Sequence, residues 1–187
     1  MRYLIIILFL MMVAIQWFVP LSVIVGHEKV LADGKVFKFK TQPVDPSDPF
    51  RGKYITLRFE ETSFPVDTSL NISNGDDIFV LIEEDGDGFA KITDIKTEKP
   101  EHTENFINAK AGYVVDNNNV EVEYPFERFY LEESKASEAE RAYWEANRDS
   151  TQTTYALVAV RNGTAALKDV MIDDKSVTEV VEKLNSK

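Results

Sequence analysis

The chain has 187 residues, no cysteine and a formal charge of −11. Arg2 is the one charged residue among the first 26, which leaves −12 on the remainder. A surface of that sign repels phosphate backbones and anionic lipid, which argues against nucleic acid or a lipid headgroup as partner. Without thiols there is no cysteine nucleophile, thiolate metal site or disulfide staple. About 160 residues can nevertheless bury one core unaided.

Residues 4–25, LIIILFLMMVAIQWFVPLSVIV, contain no charge, and Gln16 and Ser22 are their polar side chains. As a helix they span roughly 33 Å, against about 30 Å for a bilayer's hydrocarbon core. A cleaved signal peptide has a shorter apolar run, of about 7–15 residues, ending in a small-x-small site. Here the nearest candidate, Ile24-Val25-Gly26, is poor, so the segment reads as an uncleaved transmembrane anchor. Arg2 ahead of it favours a cytoplasmic N-terminus and an extracytoplasmic domain. Lys29, Lys35, Lys38 and Lys40 count the other way, but the last three belong to the first expected strand. The chain thus divides into an anchor at 4–25, a stalk at 26–33 and a domain at 34–187.

Beyond the stalk, apolar residues recur with period two between turn residues. Residues 34–40 put Phe37 and Phe39 on one face and Lys38 and Lys40 on the other. The segment TQPVDPSD, 41–48, is a proline- and aspartate-rich turn that no ladder can cross. A strand at 54–59 points Ile55, Leu57 and Phe59 one way and Tyr54, Thr56 and Arg58 the other. Strands follow at 77–82, 89–95 and 105–115, the last placing Ile107, Ala109, Ala111, Tyr113 and Val115 on one face. The Asn117-Asn118-Asn119 turn leads to Val120, Val122 and Tyr124. Residues 153–160 and 164–172 flank Asn162-Gly163, the strongest hairpin signal in the chain.

Two helices are expected. Ser137-Glu-Ala-Glu140 is a capping box opening a helix that runs to about Asn147. A second box, Ser176-Val-Thr-Glu179, precedes Val177, Val180, Val181 and Leu184 at amphipathic spacing. The predicted fold is therefore mainly β, a barrel or sandwich of short antiparallel strands, with one or two peripheral helices and an N-terminal transmembrane helix.

No catalytic constellation emerges. His27 and His102 are the two histidines and lie far apart, with no metal-ligand spacing. Asp85-Gly-Asp87-Gly-Phe89 resembles the start of a calcium loop, but Phe89 and Lys96 stand where oxygen ligands are needed, so it reads as a hairpin turn. There is no nucleophile elbow and no phosphate loop. No cofactor is expected.

The segment 43–59, PVDPSDPFRGKYITLRF, is dense in unusual residues. It resembles the signature of the GDYXXLXY-motif family of bacterial membrane-anchored proteins, in which PxDP…FRGDYxxLxY follows an N-terminal hydrophobic segment. Pro43, Asp45, Pro46, Phe50, Arg51, Gly52, Tyr54 and Leu57 match. Phe59 replaces the final tyrosine, and Lys53 stands in place of the aspartate. Residues 127–133, ERFYLEE, and the last hairpin extend the similarity. The resemblance implies an extracytoplasmic domain, often encoded beside multi-pass membrane proteins, and implies no enzymatic activity.

The expected function is an accessory or binding module held at the membrane by its N-terminal helix, with a membrane or envelope partner such as a multi-pass protein. A hydrolase with a dispersed Ser/Lys site and a purely structural domain are the alternatives. The candidate binding residues are Asp45, Asp48, Arg51, Gly52, Tyr54, Arg128 and Tyr130, because arginine and tyrosine dominate binding hot spots.

Overall fold

The computed structural model describes residues 2–43, 54–67, 70–115 and 119–185. Helix α1 (Arg2–Asp33) continues through 26–33, where a stalk was expected. Apart from the part-buried Val13, its large apolar side chains from Tyr3 to Val25 are exposed. At its far end the pattern changes. Val30 is buried against Ala159 and Ala166, with Leu31 packed beside it. Arg161 donates to Asp33 at 2.8 Å, and the Gly34 amide closes the helix on the Val30 carbonyl at 2.9 Å.

The strands form three antiparallel groups. β1 (Lys35–Lys40), β9 (Thr154–Arg161), β10 (Thr164–Ile172) and β11 (Lys175–Ser176) make one sheet in that order. β3 (Ser63–Pro65), β7 (Asn119–Glu123), β6 (Phe106–Val115), β4 (Asp77–Glu84) and β5 (Ala90–Lys96) make a second. β2 (Tyr54–Thr56) and β8 (Arg128–Tyr130) pair as a ribbon.

Isolated bridges tie the groups into a nearly closed barrel. Lys38 meets Phe89 at the start of β5, Ile107 meets Gly163 at the β9–β10 turn, and Thr41 meets Phe59. The ribbon joins in through Leu57 N–H to the Glu127 carbonyl at 2.8 Å and Gln42 N–H to the Arg58 carbonyl at 2.9 Å. Closure in this way shields the polar edges that a flat sheet exposes.

The alternation seen in the sequence gives the core. Phe37, Phe39, Ile55, Leu57, Phe59, Ile78, Val80, Ile92, Val120, Val122 and Val158 share one buried cluster. The Asn162-Gly163 turn has φ of 50° and 87°, the double left-handed geometry of a two-residue hairpin, and pairs Arg161 with Thr164. At the turn 85–89, the Asp85 carboxylate accepts the amides of Asp87 and Phe89 at 2.9 and 2.8 Å. That side chain is spent on the hairpin itself.

Three expectations need correction. β6 is bulged between Ala111 and Val114, so the face shared by Ile107, Ala109 and Ala111 does not extend to Tyr113, which is 71% exposed. An extra residue in one strand shifts the side-chain parity beyond it. Helix α2 (Glu133–Arg148) starts a turn before Ser137, and its Glu132 N-cap makes no side-chain bond. Burial outweighs the capping signal: Ala136, Ala139, Tyr143 and Ala146 form one buried stripe, which needs helix before Ser137. The strand expected at 54–59 is regular only to Thr56, since Phe59 leaves the ribbon to bridge Thr41. At the second expected box the helix start holds: Ser176 precedes α3 (Val177–Asn185), and its Oγ accepts the Thr178 amide at 3.3 Å.

Tyr143 is fully buried and its hydroxyl accepts from Asn147 at 2.9 Å. Burial pushes the phenol up to about 12, partly opposed by its hydrogen-bonding neighbours Thr41 and Asn147. A folded phenol that ionises later than the unfolded one, near 10, confers stability fully present below about pH 10. That contribution is lost as pH rises to about 12. Melting temperature should therefore fall across this alkaline window, and Tyr143→Phe should flatten the fall. Tyr124 and Tyr155, whose phenols burial also raises, leave a residual slope in the variant, and a slope unchanged from the parent would show that Tyr143 contributes nothing to it.

Candidate functional site

Tyr54, Arg128 and Tyr130 come together on the outer face of the β2–β8 ribbon. Their positions follow from strand parity. Ile55 faces Phe129 across the ribbon and both turn inward, Ile55 fully buried and Phe129 packed on the core. Tyr54, opposite Tyr130, and Thr56, opposite Arg128, must then turn outward. Across the ribbon the tyrosine rings lie 5.5 Å apart, tilted by 58°. Arg128, diagonal to Tyr54, sets its guanidinium carbon 5.2 Å from that ring's centroid. This is cation–π geometry. Tyr130 is 65% exposed, a large apolar surface that no core contact requires.

Asp45, Asp48, Arg51 and Gly52 lie outside the described residues.

Beside the ribbon runs a groove of about 960 Å³. Thr56, Arg58 and Glu127 line one side, and Asp77, Lys110 and Glu123 line the other. Lys110 is engaged by Asp77 at 3.0 Å. Partial burial holds the Glu127 carboxyl above the usual glutamate range, and Glu123 adds to this while Arg128 and Arg58 oppose it. The groove went unnoticed in the sequence, although strand parity had already placed Thr56 and Arg58 outward with Tyr54. Among the described residues, no group of three His, Cys, Asp or Glu is placed to hold a metal ion.

These features define a class: a nearly closed β-barrel-like domain carried on one N-terminal helix long and apolar enough to cross a membrane. The GDYXXLXY protein family model matches residues 16–170, most of the chain, and the protein belongs to that family. No curated protein and no solved structure matches it.

Proposed function

We propose that the protein is a membrane-anchored binding module whose domain docks on a membrane or envelope partner, on the extracytoplasmic side, through the outer face of the β2–β8 ribbon. The observation that carries this reading is the outward-facing cluster of Tyr54, Arg128 and the 65% exposed Tyr130, held by a tilted ring pair and a cation–π contact. A tyrosine ring offers a large rigid contact area and arginine a planar cation with several donors, and both concentrate in hot spots. Arg51 and Gly52 stand three and two residues before Tyr54 in sequence, and with Asp45 and Asp48 they are included in the proposed surface on that ground. The continuous helix supports the anchored part of the reading, since it ends in packed contact with β9 and β10.

Crosslinking in intact membranes tests the surface. Tyr130→Ala and Arg128→Ala should each keep a melting temperature within a few degrees of the parent, because neither side chain is in the core. Each should weaken capture of the partner by about 2 kcal/mol or more, roughly thirtyfold. Unfolding of either variant would make the cluster scaffolding, and undiminished capture would move the surface elsewhere.

A further inference from the structure

Gln16 is a carboxamide on a helix otherwise built to face lipid. It lies within two residues of the midpoint of the 4–25 span, roughly 2 Å from the centre along the axis. Its side chain is exposed and makes no hydrogen bond within the described residues. Ser22, the other polar side chain of the span, is already satisfied, because its hydroxyl donates to the Val19 carbonyl at 2.7 Å. A second, independent feature falls at the same level. Pro20 lies inside α1 and has no N–H to offer the carbonyl of Gln16, four residues earlier. One residue therefore presents a side-chain amide and a backbone carbonyl that the helix does not pair. In hydrocarbon, water cannot satisfy them.

We infer that Gln16 pairs α1 with the α1 of a second copy of this chain, as a parallel dimer within the membrane. The carboxamide carries both donor and acceptor, so two of them are mutually complementary. Copies of one single-pass chain cross the bilayer in the same sense and at the same depth. Their Gln16 residues therefore meet on a two-fold axis without adjustment, each amide donating to the other's Oε1 or backbone carbonyl. The contacting face includes Met12, Val13, Val19 and Pro20, which lie within one turn of Gln16 on the same side. Since α1 runs unbroken to its contact with β9 and β10, the pairing also sets the two domains side by side.

This inference rests on the reading of α1 as a membrane anchor, and the test separates the two. The chain has no cysteine, so a single introduced one can form a disulfide only between copies. Full-length Val13→Cys, Val19→Cys, Ala14→Cys and Phe18→Cys proteins are reconstituted in phosphatidylcholine vesicles, checked for resistance to alkaline carbonate, and oxidised. Positions 13 and 19 should give covalent dimer, and positions 14 and 18, on the opposite face, little. Adding Gln16→Leu to Val13→Cys should lower the dimer fraction by a roughly tenfold change in association, while Gln16→Asn should retain much of it. Carbonate extraction would overturn the anchor reading and this inference with it. Integrated protein that crosslinks equally at all four positions, or equally well with Gln16→Leu, would overturn the dimer alone.

Discussion

Phe59→Ala should lower the stability of the domain by about 3–5 kcal/mol, the cost of emptying a buried phenylalanine site. Phe59 is 1% exposed and touches three other rings, Phe39 at 5.6 Å, Tyr124 at 5.7 Å and Phe126 at 5.4 Å. Those three also contact one another, so the cavity would open at the centre of a four-ring cluster that few rotamer changes can refill. The residue also bridges Thr41, where the chain after β2 rejoins the end of β1. Loss of the ring therefore weakens barrel closure as well as packing. For a domain of this size the loss corresponds to roughly 6–20 °C in melting temperature. Phe59→Leu, which refills most of the volume, should recover much of it. A drop of only a degree or two in Phe59→Ala would mean that the rings rearrange freely and the cluster is not a fixed core.

Gly34→Ala should detach helix α1 from the domain. A Cβ at Gly34 would lie 2.4 Å from the Val30 carbonyl oxygen and 3.2 Å from both the N and O of Val160. All three are backbone atoms, so no side chain can swing aside. The strain is relieved only if the last turn of α1 moves off β9 and β10, breaking the Val30–Ala159–Ala166 contact and the Asp33–Arg161 ion pair. Overpacking of this kind costs about 1–3 kcal/mol, and with rigid neighbours the upper end is expected. The barrel has its own core and should survive. Limited proteolysis should therefore find a new cleavage site around residues 30–35 in Gly34→Ala, with the domain beyond it intact. Cleavage identical to the parent would show that the junction yields by some other route.

Alternation was the most informative signal in the chain. Ile55, Leu57 and Phe59 alternate with Tyr54, Thr56 and Arg58, and the structure buries the first three while Thr56 and Arg58 are exposed. The Asn162-Gly163 hairpin and the Ser176 cap were legible for the same reason, because each is a local geometry that few residues other than these satisfy. The bulge in β6 was not legible. Gly112 marks it, and a Cβ there would come 3.2 Å from the Glu121 Cβ, but that neighbour belongs to another strand. The early start of α2 escaped for a similar reason, since an alanine such as Ala136 shows its value only when a core lies against it. Of the candidate site, the outward direction of Tyr54 was readable. Its partners were not, because Tyr130 and Arg128 are 76 and 74 residues further on and meet it only across the ribbon.

The sequence by itself determined the apolar span at 4–25, the predominance of strands, which residues of each regular strand turn inward, and membership of the family through the motif at 43–59. These depend on periods of two or on local composition, and both are properties of a short window. Tertiary structure decided the order of the strands, the closure by way of Thr41–Phe59 and Lys38–Phe89, the docking of α1 on β9 and β10, and the Tyr54–Arg128–Tyr130 cluster. Each of those joins residues far apart in the chain. Their pairing is selected by which arrangement buries the common core while leaving the fewest backbone groups unpaired, and no local stretch of sequence carries that information.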